Sequence, residues 1–392
     1  MKHDLRIGFL PLTDCAVLVA AQERGFFEKY DLNVTLQREV SWANIRDRVA
    51  FGELDAAHML APMPLAATLG IDGLGIPIQT AISIGLNGSA ITLATGLMQG
   101  IRTHFPEYLH SSPLRATGLK ALLEREPGRK LVLGCVYPFS QHYYLLRAWL
   151  QDGGLDLEQG VEIRVIPPPQ MVNALANGEI DGYCAGEPWN LAAVQRGIGC
   201  VAASSYGLWH NGPEKVVGVT QAWADMNPET HLALISALLE AAHWADDRHN
   251  RIQLAELLSR PQYLDTPLDL IRAPLLGRYR YAADEPERFL PDFNVFARYA
   301  ANFPWHSHGR YFLHQMQAAG QLAHAPENPE RLLASVYRTA TYRQAAAALK
   351  LPYPTGDEIP LLGCTTPWVL HEASQPIAMG SNHIALHQLR AI

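Results

Sequence analysis

Cysteine is scarce in this 392-residue chain: Cys15, Cys135, Cys184, Cys200 and Cys364 are odd in number, scattered, and never spaced as C-x-x-C. That excludes a disulfide framework and a zinc knuckle and fits a reducing compartment. One-sided charge is missing too. With 31 Lys and Arg against 38 Asp and Glu the net charge is −7, and no basic run is dense enough to neutralise a phosphate backbone, so direct nucleic-acid binding is not expected. No stretch reaches the roughly 18 uninterrupted apolar residues of a membrane span. The N-terminus lacks the basic, apolar and small-residue regions of a secretory signal; Met1-Lys2-His3-Asp4 runs straight into a strand-like Leu5 to Pro11, so the expectation is a cytoplasmic protein. G-x-x-x-x-G-K-[ST], G-x-G-x-x-G, G-x-S-x-G and H-E-x-x-H are all absent, which points away from an enzyme and from a nucleotide cofactor. His306 and His308 have no carboxylate or Cys pair at ligand spacing, so no metal is expected there.

What is present is the composition of a large globular protein: 48% hydrophobic, 18% charged, with 30 Gly and 27 Pro spread along the chain. Its length is two to three times that of a domain of about 150 residues, which predicts two lobes. Short apolar runs at Leu5 to Leu10, Leu32 to Val40 and Asp55 to Leu60 alternate with helical periodicity at Cys15 to Phe27 and Trp42 to Phe51, with Asp14 and Ser41 as helix caps. This βαβαβ order predicts a parallel sheet covered by helices. The same grammar returns at Leu131 to Val136, Val161 to Ile166 and Asp181 to Ala185, with Ser140 and Asn190 as caps. A Gly-Glu-(Leu or Ile)-Asp run, at Gly52 to Asp55 and again at Gly178 to Asp181, marks the same turn in both.

Extended runs at Gly85 to Ala94 and Val216 to Gln221 are candidate hinge strands. The expected division is lobe one over 1–90, lobe two over 91–215, a helical return to lobe one over 216–353, and a tail over 354–392 lying on the surface. Helices are predicted at Leu232 to Asp246, Ile252 to Leu258, Leu268 to Tyr279, Tyr311 to Leu322 and Pro329 to Leu349. Two facing α/β edges make a crevice in which a ligand is expected.

The residues that stand out at those edges are mostly donors. Trp42 follows the Ser41 cap at a helix N-terminus, where free backbone N–H groups favour an anion. His142 lies two residues past the Ser140 cap, where the helix dipole keeps imidazole neutral and able to donate. The glycine of Ala185-Gly186 lets backbone N–H groups approach a ligand, and Lys215 adds a point charge. One cation and several donors without a paired acid and base describe a site that holds an anion and does no chemistry on it.

At this point the chain resembles the nitrate- and bicarbonate-binding proteins of the NrtA/CmpA type, a branch of the type II periplasmic-binding fold, with two α/β lobes, hinge strands and C-terminal helices on lobe one. The resemblance covers about residues 5 to 350. It rests on Pro11-Leu-Thr-Asp14, Gly25-Phe-Phe27, Ser41-Trp-Ala43, His58-Met-Leu-Ala-Pro-Met-Pro64, Leu86-Asn-Gly88, His142 with Trp149-Leu150, Cys184-Ala-Gly-Glu-Pro-Trp-Asn190 and Pro213-Glu-Lys215. It implies that Trp42, His142, the backbone at Ala185 and Gly186, and Lys215 hold nitrate or nitrite. Ser89 replaces the Gln that nitrate binders carry after Asn-Gly. Retention of Lys215 implies nitrate or nitrite over bicarbonate, whose binders resemble this pattern but lack the lysine. The missing leader implies the NasS-type subgroup: cytoplasmic nitrate/nitrite sensors that hold an ANTAR-domain antiterminator of the NasT type inactive until the anion arrives. The alternatives are the solute-binding component of a nitrate ABC transporter, an enzyme on the same fold, and a domain of a transporter ATPase, the last disfavoured by the missing P-loop motif.

Overall fold

The structure, a computed structural model, describes residues 3–389 other than Ser112 and Pro127. Strands β1 (His3–Phe9), β2 (Leu32–Arg38) and β3 (Ala56–Leu60) lie parallel, with β1 in the middle. β4 (Ile78–Asn87) leads to Gly88, whose φ of +83° and lack of a side chain let the backbone turn against Asn294 Oδ1, which a Cβ would meet at 2.7 Å. β5 (Ser89–Ala94) then belongs to the second sheet, which the chain completes with β6 (Leu131–Cys135), β7 (Val161–Val165), β8 (Gly182–Gly186) and β9 (Gly199–Ser204) before returning through β10 (Pro213–Thr220).

The two sheets share one plan. Lobe one runs β4-β10-β3-β1-β2 and lobe two β9-β5-β8-β6-β7; lobe one adds a short edge strand, Asn294–Val295, beyond β4. Three parallel strands in each lobe match the expectation of a parallel sheet. The remainder does not: the strand arriving from the other lobe, β10 or β5, enters from the opposite end and pairs antiparallel. The repeated Gly-Glu-(Leu or Ile)-Asp turns coincide in detail. Gly52 and Gly178 both have φ of 72°, and Asp55 and Asp181 accept at 2.8 Å from the backbone N–H of Arg6 in β1 and Val132 in β6 respectively. The chain changes lobe at Gly88 and just before Pro213, and not at 90/91 and 215/216, because Ser89 already pairs with Gly186 and Lys215 with Leu60.

Behind lobe one, the helix Pro228–Asp246 buries Leu234, Ile235, Leu238 and Leu239 against the helices Ala16–Glu23 and Thr339–Ala348. Each such side chain contributes roughly 1.5–3 kcal/mol. The single helix expected over Pro329 to Leu349 is two, Pro329–Val336 and Thr339–Ala348. The break falls where Tyr337 bridges to Thr80 and the Arg338 N–H donates to the Thr80 carbonyl at 2.8 Å, so pairing with β4 outweighs helical continuity.

The tail is more than a surface covering. On lobe one Arg343 donates to the Pro354 carbonyl at 2.8 Å, and the hairpin of Trp368–Leu370 and Ile377–Met379 buries Leu370 and Met379. It then crosses to lobe two, where Ala385 N–H donates to the Leu208 carbonyl, His387 N–H to Asp152 Oδ1, and Leu386 and Leu389 are buried. The segment 354–389 is therefore a strap joining both lobes. None of the helices among the described residues is long and apolar enough to cross a membrane.

Candidate functional site

Trp42 opens the helix Trp42–Ala50 of lobe one, whose Ser41 cap accepts from Asn44 N–H at 3.2 Å as the sequence predicts. From lobe two, the helix Gln141–Asp152 brings Gln141 and His142 to the same place, with Ser140 accepting from Tyr143 N–H at 3.0 Å. β10 supplies Glu214 and Lys215 at the seam between the sheets. Ser89 sits opposite Gly186 across the β5–β8 ladder, its backbone N–H donating to Ser205 Oγ at 3.1 Å. Ala185 is opposite Ala90, and its carbonyl accepts from Asn190 Nδ2 at 2.8 Å. Asn190 lies within the helix Trp189–Gln195 and so braces β8, where a helix cap was expected.

Lys215 is the centre of the arrangement. It is fully buried (0% exposed), and its Nζ lies 5.6 Å from the centroid of the Trp42 ring. It does not hang free. Nζ contacts Asp14 Oδ2 at 2.7 Å and Glu214 Oε1 at 2.5 Å. Both carboxylates correct the sequence expectation of one cation without acids. Asp14 is not the helix cap that the sequence predicts: the helix Ala16–Glu23 carries no side-chain cap, and the Asp14 carboxylate turns inward to Lys215 and to His58 Nε2, 3.1 Å away. His58, in β3 edge-on to Trp42 with centroids 5.1 Å apart, is the other residue that pattern alone did not select. All three lie inside the quoted motifs; the cue for Asp14 is a carboxylate inside an apolar stretch, and for Glu214 a carboxylate in such a stretch beside Lys215.

Gly186 brings the lobes together. A Cβ there would sit 3.3 Å from Asp14 Oδ2 and 3.5 Å from Leu12 Cδ2, and the Thr13 N–H donates to the Glu187 carbonyl at 2.8 Å. The space that glycine opens in lobe two is thus filled by the lobe-one carboxylate.

Burial and charge then fix the protonation states. Burial would raise the Asp14 carboxyl, but Lys215 and His58 outweigh it and hold it well below the usual range, so it is ionised. Burial pushes the Glu214 carboxyl up, with Lys215 pulling the other way, to about 7. Burial also lowers both imidazoles, His142 strongly and with help from Lys215, so both are neutral at pH 7.

Several buried polar atoms here have no hydrogen-bond partner: Trp42 Nε1, His58 Nδ1, both polar atoms of the Gln141 amide, His142 Nδ1, and Glu214 Oε2. His142 Nε2 faces Glu214 Oε1 at 3.4 Å, too poorly aligned to count. Each unmet group costs about 1–3 kcal/mol. Their presence around one buried ammonium, with contributions from both lobes, makes this the candidate ligand site. Elsewhere, a cavity of about 350 Å³ lies between Arg102, Tyr206, His210, Tyr281 and Arg288, and none of its lining residues carries a buried polar atom without a partner. In the stretch at His306 and His308, His306 Nε2 meets the Tyr337 carbonyl at 3.1 Å, and no group of three or more His, Cys, Asp or Glu suited to a metal occurs among the described residues.

The NMT1-like family matches residues 1–259. The nitrate import ATP-binding protein NrtC of Synechocystis sp. PCC 6803 is 39% identical over 359 residues, 91% of this chain and 52% of that protein, so the chain spans about half the length of such relatives. This chain, which carries no P-loop motif, is thus similar over 91% of its length to an ATP-binding protein, so the missing motif does not disfavour such a relative. The nitrate/nitrite-binding protein NrtA of the same organism is 30% identical, with 91% of this chain and 78% of that protein covered. The crystal structure of periplasmic NrtA from Synechocystis PCC 6803 superposes with a TM-score of 0.82 at 29% identity, covering 88% of this chain and 89% of that one. The two sheets of one plan, the seam at β5 and β10, and these similarities together place the chain in the NMT1-like family, as a two-lobed type II periplasmic-binding-protein-like member of its NrtA/CmpA-like nitrate-binding branch.

Proposed function

We propose that this chain is the nitrate- or nitrite-binding unit of a nitrate ABC transporter, holding the anion between its lobes and performing no reaction on it. The observation that carries this reading is that the buried ammonium of Lys215 at the lobe seam lies beside Trp42 and His142, whose ring nitrogens have no hydrogen-bond partner. A small planar monoanion has one charge to set against Lys215 and three oxygens or fewer to receive those donors. Donors from both lobes favour a closed arrangement when the anion is present, which gives the transporter a distinguishable loaded form. Similarity to NrtA and to NrtC supports the transport assignment over sensing.

Calorimetric titration of the purified chain with nitrate, nitrite and bicarbonate is the test, with sulfate as control. Binding of nitrate or nitrite in preference to bicarbonate is expected, and preference for bicarbonate overturns the ligand assignment. Affinity purification from cells grown without nitrate separates the partners. Recovery of a permease and ATPase supports transport; recovery of an ANTAR-domain antiterminator that nitrate releases moves the assignment to a cytoplasmic sensor.

A further inference from the structure

The buried seam between the lobes holds more carboxyl than cation. Lys215 is the one charged amine at the seam, and Asp14 and Glu214 both lie against its Nζ, at 2.7 and 2.5 Å. The groups facing Glu214 come from every side. Lys215 lies on its own strand, Asp14 on the turn after β1, His142 on the helix Gln141–Asp152, Ser89 on β5, Cys184 on β8 and Tyr311 on the helix His306–Ala318. None of these adds a second positive charge, since both imidazoles nearby are neutral.

With both carboxyls ionised the seam carries one net negative charge before any ligand arrives. A monoanion added to it would face Glu214 across a few ångströms of dry protein, where like charges repel far more than in water. Lys215 cannot compensate for both, because its charge is already matched by Asp14. The geometry shows a way out. Glu214 Oε1 is turned to Lys215 and His142, whereas buried Oε2 makes no well-aligned hydrogen bond, and the Ser89 hydroxyl is the remaining donor beside the carboxyl. An ionised oxygen left in that position has at most one neutral hydroxyl, that of Ser89, to meet it; a protonated one becomes a donor itself.

We propose that the seam takes up its monoanion together with one proton from solvent, seated on Glu214 Oε2, so that the ligand pair enters with no net charge. This rests on the anion-binding reading above. The balance is simple: carboxylate, proton and anion become carboxylic acid with the anion beside it, and no other bond is made or broken. Glu214 then donates to an oxygen of the anion, and Lys215 with Asp14 remains a neutral pair. Burial already brings the Glu214 carboxyl to about 7, so the free protein is partly protonated near neutrality and the uptake grows as pH rises.

The test is titration calorimetry with nitrate and nitrite between pH 6 and 8.5, in pairs of buffers with different ionisation heats. The expected result is proton uptake close to zero at pH 6 and approaching one per anion at pH 8.5. Kd should be flat below about pH 6 and weaken towards tenfold per pH unit in the alkaline range. Glu214→Gln, neutral at every pH, should bind with a flat Kd and no uptake. Infrared difference spectra of the wild type give a readout that needs no variant: a protonated-carboxyl band should grow on adding nitrate at pH 8. Binding without pH dependence or uptake overturns the proposal, as does a Gln variant that keeps the wild-type slope, which would put the proton on a histidine. Absence of nitrate and nitrite binding at every pH overturns the anion-binding reading itself, a result distinct from binding without a proton.

Discussion

Two buried glutamates a short distance apart in the fold show how one side chain is used in two ways. Glu214 and Glu187 are each fully buried and each pushed by burial to about 7. Around Glu187 every bond is met: the Tyr279 hydroxyl donates to one oxygen, and the Leu191 N–H donates to the other at 3.2 Å. Around Glu214 one oxygen is turned to Lys215 and the other makes no well-aligned hydrogen bond, with the Ser89 hydroxyl as the remaining donor nearby. The first carboxyl ties the end of β8 to the helix Trp189–Gln195 and to Tyr279; the second is left incomplete inside a cluster of equally incomplete donors. Complete satisfaction makes structure, and incomplete satisfaction at a lobe seam leaves a place for a ligand.

Replacing Lys215 by Met should have the largest effect, because it strips Glu214 of its cation and makes its surroundings resemble those of Glu187. Nitrate affinity should fall at least 100-fold by calorimetry, and urea unfolding should show a loss of about 3–5 kcal/mol from the unpaired Asp14 charge. Glu187→Ala should cost less, about 1–3 kcal/mol, from the stranded Tyr279 hydroxyl and Leu191 N–H. Nitrate Kd should not move with it; a tenfold change would erase the distinction drawn between the two carboxyls.

The pH response has a definite sign. A carboxyl raised in the folded state from 4.5 to about 7 contributes stability that is complete below pH 4.5 and is lost as pH rises through 7. Glu187→Gln removes that loss, so the melting temperature of the variant should gain on the wild type as pH rises from 5 to 8. A difference that stays constant would mean that Glu187 is ionised in the folded protein. Ser89→Gln should have the smallest effect, a change in nitrate affinity of less than tenfold, since Trp42 and His142 already offer unpartnered ring nitrogens beside Lys215.

Much of this was legible in the sequence. The doubled βαβαβ order, the paired Gly-Glu-x-Asp turns, the Ser41 and Ser140 caps and the donors Trp42, His142 and Lys215 all follow from local pattern, because helix starts and tight turns are decided by neighbours in the chain. Asp14, His58 and Glu214 were not selected by pattern. Their roles exist only once β1, β3 and β10 lie side by side, and a lone Asp before an apolar run reads equally well as a helix cap. The break at Tyr337 and Arg338 escaped for the same reason: the competing partner, Thr80, is more than 250 residues away in the chain.

The strap adds a consequence for timing. Because residues 354–389 are fastened at Pro354 on one side and at Leu208 and Asp152 on the other, the lobes cannot swing apart without peeling or stretching that fastening. On the anion-binding proposal, the rate at which the ion escapes would then be governed by a latch away from the residues that hold it, and trimming the latch should shorten residence while leaving the preference among ions intact.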